Sequence, residues 1–208
     1  MENIKEFKDI EEYSEFAESL TVQYINSGSE GSVYLTKDGD IIKKYHSSDI
    51  NNREKIYIPG KYIMDGDIKV DSFIFPTELH ICDGYVCGLR AAYFKNNVFT
   101  IGHSLIDVDL DNILIAREKF REDVKILSEE GYALAELSRN TMYNNEVFKA
   151  IDTLEYGKTD ADITEANLKE VDDAIATELS FLTNPRMYSK YSFEDMYEEA
   201  KRIKKMIG

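Results

Sequence analysis

The chain has 208 residues, 43% of them hydrophobic and 31% charged, and a net charge of −15. That size and composition suit one large domain, or two small lobes, with a packed interior and a hydrated exterior. The acidic balance opposes nucleic-acid phosphates and anionic lipid surfaces, and no apolar run approaches the roughly 20 residues of a membrane helix.

Residues 1–20, MENIKEFKDIEEYSEFAESL, are studded with acids and lack the apolar core of a secretory signal. Ile4, Phe7, Ile10, Tyr13, Phe16 and Leu20 recur at helical spacing, which predicts an amphipathic N-terminal helix. Three strand-like runs follow: TVQYI, SVYLT and DIIKKYH. The KDGD between the last two predicts a hairpin turn, because Asp-Gly tolerates positive φ at both central positions. SSDINNREKIYI reads as a short helix, capped by Ser48 or Asp49 and stopped near Pro59.

FIFPTELHI and YVCGLRAAYF return to strand character around a second Asp-Gly turn, so residues 1–95 hold about five strands and an intervening helix. Cys82 and Cys87 flank that turn. Two cysteines are too few for a disulfide framework, and they read as reduced, buried thiols of a cytoplasmic protein. His46, His80 and His103 lack the spacing of a zinc site.

Beyond Lys95 the pattern turns helical. LDNILIAREKFREDVKILSEEGYALAEL predicts one long helical stretch with Ile113, Ala116, Phe120, Val124 and Leu127 on one face. TMYN and EVFKAID are short strand candidates joined at Asn144-Asn145. Two helices close the chain. One carries Leu168, Val171, Ile175, Leu179 and Leu182; the other begins near Ser192 and runs through Met196, Ala200, Ile203 and Ile207.

The stretch NSGSEGSV resembles the nucleotide-binding loop of the protein-kinase-like superfamily, whose pattern is G-x-G-x-x-G-x-V. Gly28 and Gly31 stand at the second and third glycine positions, Asn26 replaces the first, and Val33 is the valine that packs on adenine in that family. Glycines suit this place because they let the backbone approach phosphate oxygens with amides exposed. The resemblance implies a lysine on the next strand for the α and β phosphates, and DIIKKY offers Lys43 or Lys44. Alternation puts Ile41, Lys43 and Tyr45 on one face and Ile42 and Lys44 on the other, and the family's V-A-I-K pattern favours Lys43. Glu54, in REKIY, is then the helix glutamate that would hold the lysine. The plain alternative is a surface hairpin with a solvated lysine pair.

DVDLDNILI matches D-x-x-x-x-N with Asp107 and Asn112, but no helix precedes it and no apolar strand ending in Asp follows at the right distance. It reads as an acidic turn opening the long helix. LAELSRNTMYNNEVFKAIDTLEYG resembles the loop, strand, turn and strand of small bacterial kinase-like proteins. Asn140 and Asp152, twelve residues apart, then match the two magnesium ligands. Five residues before Asn140 stands Ala135, which cannot accept a proton. Glu136 becomes the base if the loop is one residue shorter; otherwise the base is lost. Thr153-Leu154 replaces the family's Phe-Gly, and no long activation segment follows.

The resemblance therefore implies an α+β, two-lobed protein-kinase-like fold. Residues 1–95 would form an N-lobe with a small, five-stranded antiparallel sheet, and residues 96–208 a hinge and a mostly helical C-lobe. It implies ATP and Mg2+ as cofactors, and either a phosphotransferase with an undisclosed acceptor or a pseudokinase that binds nucleotide or a protein partner. A non-nucleotide interaction module that keeps the architecture is the alternative.

Overall fold

The computed structural model describes residues 3–46, 57–99, 103–183 and 192–207. The fold is α+β, and among these residues lie a six-stranded mixed sheet, two two-stranded ladders and four α-helices. The chain divides into two compact units, Met1–Ile68 with Phe75–Tyr93 and Lys69–Ile74 with Phe94–Gly208. No helix among the described residues is long and apolar enough to cross a membrane.

The first unit contains β1 (Ile4–Phe7), α1 (Ile10–Leu20), β2 (Thr21–Ser27), β3 (Gly31–Thr36), β4 (Asp40–Tyr45), β5 (Pro76–Cys82) and β6 (Tyr85–Ala92). Their sheet order is β1-β5-β6-β4-β3-β2. The strand β1 runs parallel to β5 and the other pairings are antiparallel, so the sheet is mixed and one strand larger than expected.

That extra strand corrects the expectation of one helix at the N-terminus. Ile4–Phe7 pairs with β5, and the chain turns at Asp9, whose extended backbone and side chain cap α1 by accepting from the Glu12 amide. Helical periodicity misled because Phe7, although on a strand, packs on Tyr13 and Phe16 of α1, with ring centroids 5.2 and 5.0 Å away. A strand residue and a helix residue facing one core can mimic i, i+3 spacing.

The helix α1 lies on one face of the sheet. A Cβ at Gly88 would stand 1.8 Å from the Tyr13 hydroxyl, so only glycine admits that ring. His80, fully buried on the same side, accepts from or donates to Tyr13 and Glu78 through its two ring nitrogens, at 3.3 and 2.7 Å.

The two Asp-Gly turns differ. Asp83 and Gly84 both have positive φ, 51° and 77°, as a two-residue hairpin loop requires. In KDGD only Gly39 is left-handed, at 93°, and its amide donates to Thr36 O at 3.1 Å, so this is a longer loop than expected. The helix expected over SSDINNREKIYI, with Ser48, Asp49 and Glu54, lies outside the described residues except for Tyr57 and Ile58, which are not helical.

The second unit contains α2 (Leu110–Glu129), β7 (Tyr132–Ala133), β8 (Thr141–Tyr143), β9 (Phe148–Ala150), β10 (Gly157–Lys158), α3 (Thr164–Thr183) and α4 (Phe193–Ile207). The long helical stretch stops at Glu129 rather than continuing to Leu137. Gly131 turns the chain with φ 80°, and Tyr132–Ala133 pairs with β10. The face of Ile113, Ala116, Phe120, Val124 and Leu127 is buried, as are Leu168, Val171, Ile175 and Leu179 of α3 and Met196 and Ala200 of α4.

Arg117 and Arg121 of α2 both bind Asp172 of α3, at 2.7 and 2.5 Å. The Arg117 guanidinium also stacks 4.2 Å from the Phe193 ring centroid of α4. Asp109 caps α2 through the amides of Asp111 and Asn112, and Ser104 and Asp107 form a reciprocal cap just before it. The acids of DVDLDN thus serve helix initiation.

Candidate functional site

Strand register places the two candidate lysines, Lys43 and Lys44, on opposite faces of the sheet. Asn26 pairs with Val33, Val33 with Lys43 and Lys43 with Leu89, forming one row across four strands. Directly opposed residues share a face, so Asn26, Val33 and Lys43 stand together. Lys44 is on the other face, where its ammonium donates to Ser14 Oγ of α1 at 2.8 Å. The Lys43 ammonium lies 3.5 Å from Glu30 at the tip of the glycine loop and 5.0 Å from the Tyr45 ring centroid. Its side chain is only 14% exposed, so its charge sits where water screens it less than at an open surface.

The glycine loop itself is tightly closed. The Gly28 amide donates to Gly31 O at 2.9 Å, and the Ser27 and Ser32 hydroxyls meet at 3.0 Å. The Asn26 side chain accepts from the Ser27 amide at 2.9 Å. A Cβ at Gly31 would fall 2.5 Å from Lys44 O, so β3 can approach β4 there only with glycine. At Gly28 a Cβ would meet nothing within 4 Å. The two glycines therefore answer to different constraints: backbone packing requires Gly31, whereas none of the described residues crowds Gly28.

In the second unit, the hairpin of β8 and β9 brings Asn140 and Asp152 to one end. Thr141 pairs with Ala150, and the Ile151 amide donates to Asn140 O at 2.9 Å. The Asn140 side-chain amide donates to Glu136 O at 2.9 Å, which turns its own oxygen away from that bond. Glu136 is exposed and Asn140 half-buried. Ala135, just before Glu136, supplies no acceptor side chain.

Among the described residues six non-glycine residues have positive φ, and three of them, Glu136 at 56°, Arg139 at 70° and Asp152 at 59°, lie in this loop and at this hairpin end. Backbone strain of this kind, on the order of 1–3 kcal/mol per residue, concentrates where a structure holds groups for a purpose. The loop is anchored from below. The Arg139 amide donates to Glu178 of α3 at 3.1 Å, and the Arg139 guanidinium stands 6.0 Å from the Phe181 ring centroid.

Glu178 is buried, and burial pushes its carboxyl up to about 7, against the lowering effects of the Arg139 amide and charge. The sequence carried a signal for it: Ile175, Glu178, Leu179 and Leu182 share helical spacing, so Glu178 interrupts an apolar stripe. Tyr156 is buried nearby in sequence to Asp152, and its hydroxyl has no hydrogen-bond partner among the described residues.

Among the described residues no group of three His, Cys, Asp or Glu side chains could hold a metal ion. Asn140 and Asp152 nevertheless offer two hard oxygen donors at one hairpin end. Magnesium keeps several waters and takes other ligands from substrate phosphates, so it needs no fuller protein cage.

The sequence matches no protein-family model and no curated protein.

Proposed function

We propose that the chain is a kinase-like protein that binds ATP with magnesium, and that its phosphotransfer machinery is impaired or lost. The two-lobed kinase-like arrangement belongs to the same proposal. The observation that carries it is the row of Asn26, Val33 and Lys43, which sets an apolar β-branched residue and a part-buried ammonium on one face beside a glycine loop.

In this reading Lys43 exchanges its contact with Glu30 for the α and β phosphates of the nucleotide, and Val33 covers the base. Asn140 and Asp152 are the residues that would hold magnesium, which when bound neutralises charge on the β and γ phosphates. The Asn140 side chain is tied to the Glu136 main-chain carbonyl, and the exposed Glu136 carboxylate, which takes no part in that bond, is the group that would accept a proton from an acceptor hydroxyl. Ala135 cannot. Any transfer activity therefore depends on Glu136, and without it the protein is a nucleotide-binding pseudokinase.

A non-nucleotide interaction module is the second reading. The Gly28 amide favours it, because it is already engaged inside the hairpin instead of facing outward.

A melting experiment separates the readings. Nucleotide with magnesium at about a hundred times its Kd should stabilise the protein by ~2.7 kcal/mol, roughly 5–10 °C at this size. The Asp152→Asn variant should lose the magnesium-dependent part of the shift. A flat melting temperature at millimolar nucleotide, with and without metal, supports the interaction module. Loss of radiolabelled transfer in Glu136→Gln, with binding intact, identifies the base; equal activity removes Glu136 from that role.

A further inference from the structure

We propose that Cys82 and Cys87 are a dithiol that exchanges with low-molecular-weight disulfides and closes as an intramolecular disulfide across the β5–β6 hairpin. This is independent of nucleotide binding.

The placement follows from the ladder. Cys82, the last residue of β5, pairs with Tyr85, and Ile81 pairs with Val86, yet His80 pairs with Gly88. Cys87 is thus the additional residue where the register shifts. A residue at such an irregularity departs from strict alternation, and the Cys87 side chain meets Cys82. Their sulfurs lie 2.6 Å apart. An ordinary non-bonded contact is roughly 3.5–4.0 Å, and an S–S bond about 2.05 Å. No backbone movement is needed to bring the two sulfurs within bonding reach.

The surroundings decide how the pair reacts. Both thiols are free and buried, at 5% and 0% exposure. Burial pushes both up, so little thiolate exists in the closed state. The Cys82 thiol reaches Asp9 O at 3.7 Å and the Cys87 thiol reaches His80 O at 3.3 Å. Cys82 adjoins the exposed Asp83-Gly84 turn, and its contact at Asp9 is with the cap of α1. Opening of the hairpin tip therefore frees Cys82 first, and Cys87 acts second.

The chemistry balances with a small disulfide such as glutathione disulfide as oxidant. The Cys82 thiolate attacks one of its sulfurs, forming a mixed disulfide and expelling one glutathione thiolate. The Cys87 thiolate then attacks the Cys82 sulfur and expels the second. The pair gives up two electrons and two protons, and the two glutathiones receive them. Proximity favours the second step over hydrolysis or a second chain. The product locks the β5–β6 tip beneath α1.

The test uses the full chain equilibrated with glutathione disulfide, then alkylated and weighed. The expected product has lost two hydrogens, takes up no alkylating agent and remains a single chain. Cleavage after Tyr85, which lies between the cysteines, leaves two fragments joined until reductant is added. Its melting temperature should rise by about 5 °C and return on reduction. Cys87→Ser should stop at a mixed disulfide on Cys82, whereas folded Cys82→Ser should keep Cys87 as an unmodified thiol. Refolding the unfolded chain in the same buffer removes access as a variable. Two alkylatable thiols in both the native and refolded samples, a persistent mixed disulfide in the wild type, or cross-linked dimers would each overturn the proposal.

Discussion

The Asn140 side-chain amide donates to the Glu136 main-chain carbonyl at 2.9 Å, so one hydrogen bond ties the proposed metal ligand to the backbone that carries the proposed base. Replacing Asn140 with Ala removes that bond, at a stability cost of about 0.5–1.5 kcal/mol by urea unfolding. Asn140→Asp puts a carboxylate beside a carbonyl in place of the donor. It should keep an oxygen for magnesium yet bind nucleotide–magnesium less well than wild type, because the loop loses its tie. Equal binding by Asn140→Ala and wild type would remove this residue from the metal site.

The two loop glycines should respond to alanine in opposite ways. Gly31→Ala drives a Cβ to 2.5 Å from Lys44 O and should destabilise the fold by about 1–3 kcal/mol. Gly28→Ala meets none of the described residues and should change stability by no more than about 0.5 kcal/mol. Any loss of nucleotide binding in Gly28→Ala is then a direct effect on the ligand, read by calorimetry on a protein whose melting temperature is unchanged.

Glu178 should make stability fall as pH rises. Its folded value, about 7, lies above its ordinary 4.5, so the folded protein holds this proton more tightly than the unfolded chain. The stabilisation is fully present below pH 4.5 and is lost as pH climbs to about 7, by up to ~3 kcal/mol. Glu178→Gln keeps an acceptor for the Arg139 amide and does not ionise. Relative to wild type it should gain stability between pH 5 and pH 8 in urea titrations; a constant difference would show that Glu178 does not titrate in this window.

His80 should act in the opposite sense. Burial lowers its proton affinity, although Glu78 pulls the other way, so the imidazole is neutral in the fold. Its Nε2–H then donates to Glu78, and Nδ1 accepts from the Tyr13 hydroxyl. The unfolded chain binds the proton more readily, so this contribution is present above pH 6.5 and declines as pH falls below it. A His80→Gln variant should lose less stability than wild type between pH 7 and pH 5. A steeper loss in the variant would mean the imidazolium is tolerated.

Much of this was legible in the sequence where a residue's local role and its packing role coincide. The apolar stripes of α2 and α3 and the Asp83-Gly84 turn are of that kind. Failures occurred where packing overrode local pattern. Ile4 and Phe7 extend a helical spacing, yet β5 offers a parallel partner and Asp9 a cap, so the chain breaks there. The charges of LSEEGYALAEL suit a helix, but Gly131 turns the chain and β10 captures Tyr132–Ala133. Glu178 escaped notice because its partner, the Arg139 amide, is 39 residues away in sequence. That Lys44 meets Ser14 of α1 was not legible, because alternation separates the two lysines but does not say which face α1 covers.

The most direct test of nucleotide binding through Lys43 is calorimetric titration of ATP–Mg2+ into wild type, Lys43→Met and Lys44→Met. Wild type should bind, Lys43→Met should bind at least about tenfold more weakly, a change of ~1.4 kcal/mol, and Lys44→Met should match wild type. No binding by wild type at millimolar nucleotide, or a loss confined to Lys44→Met, would contradict it.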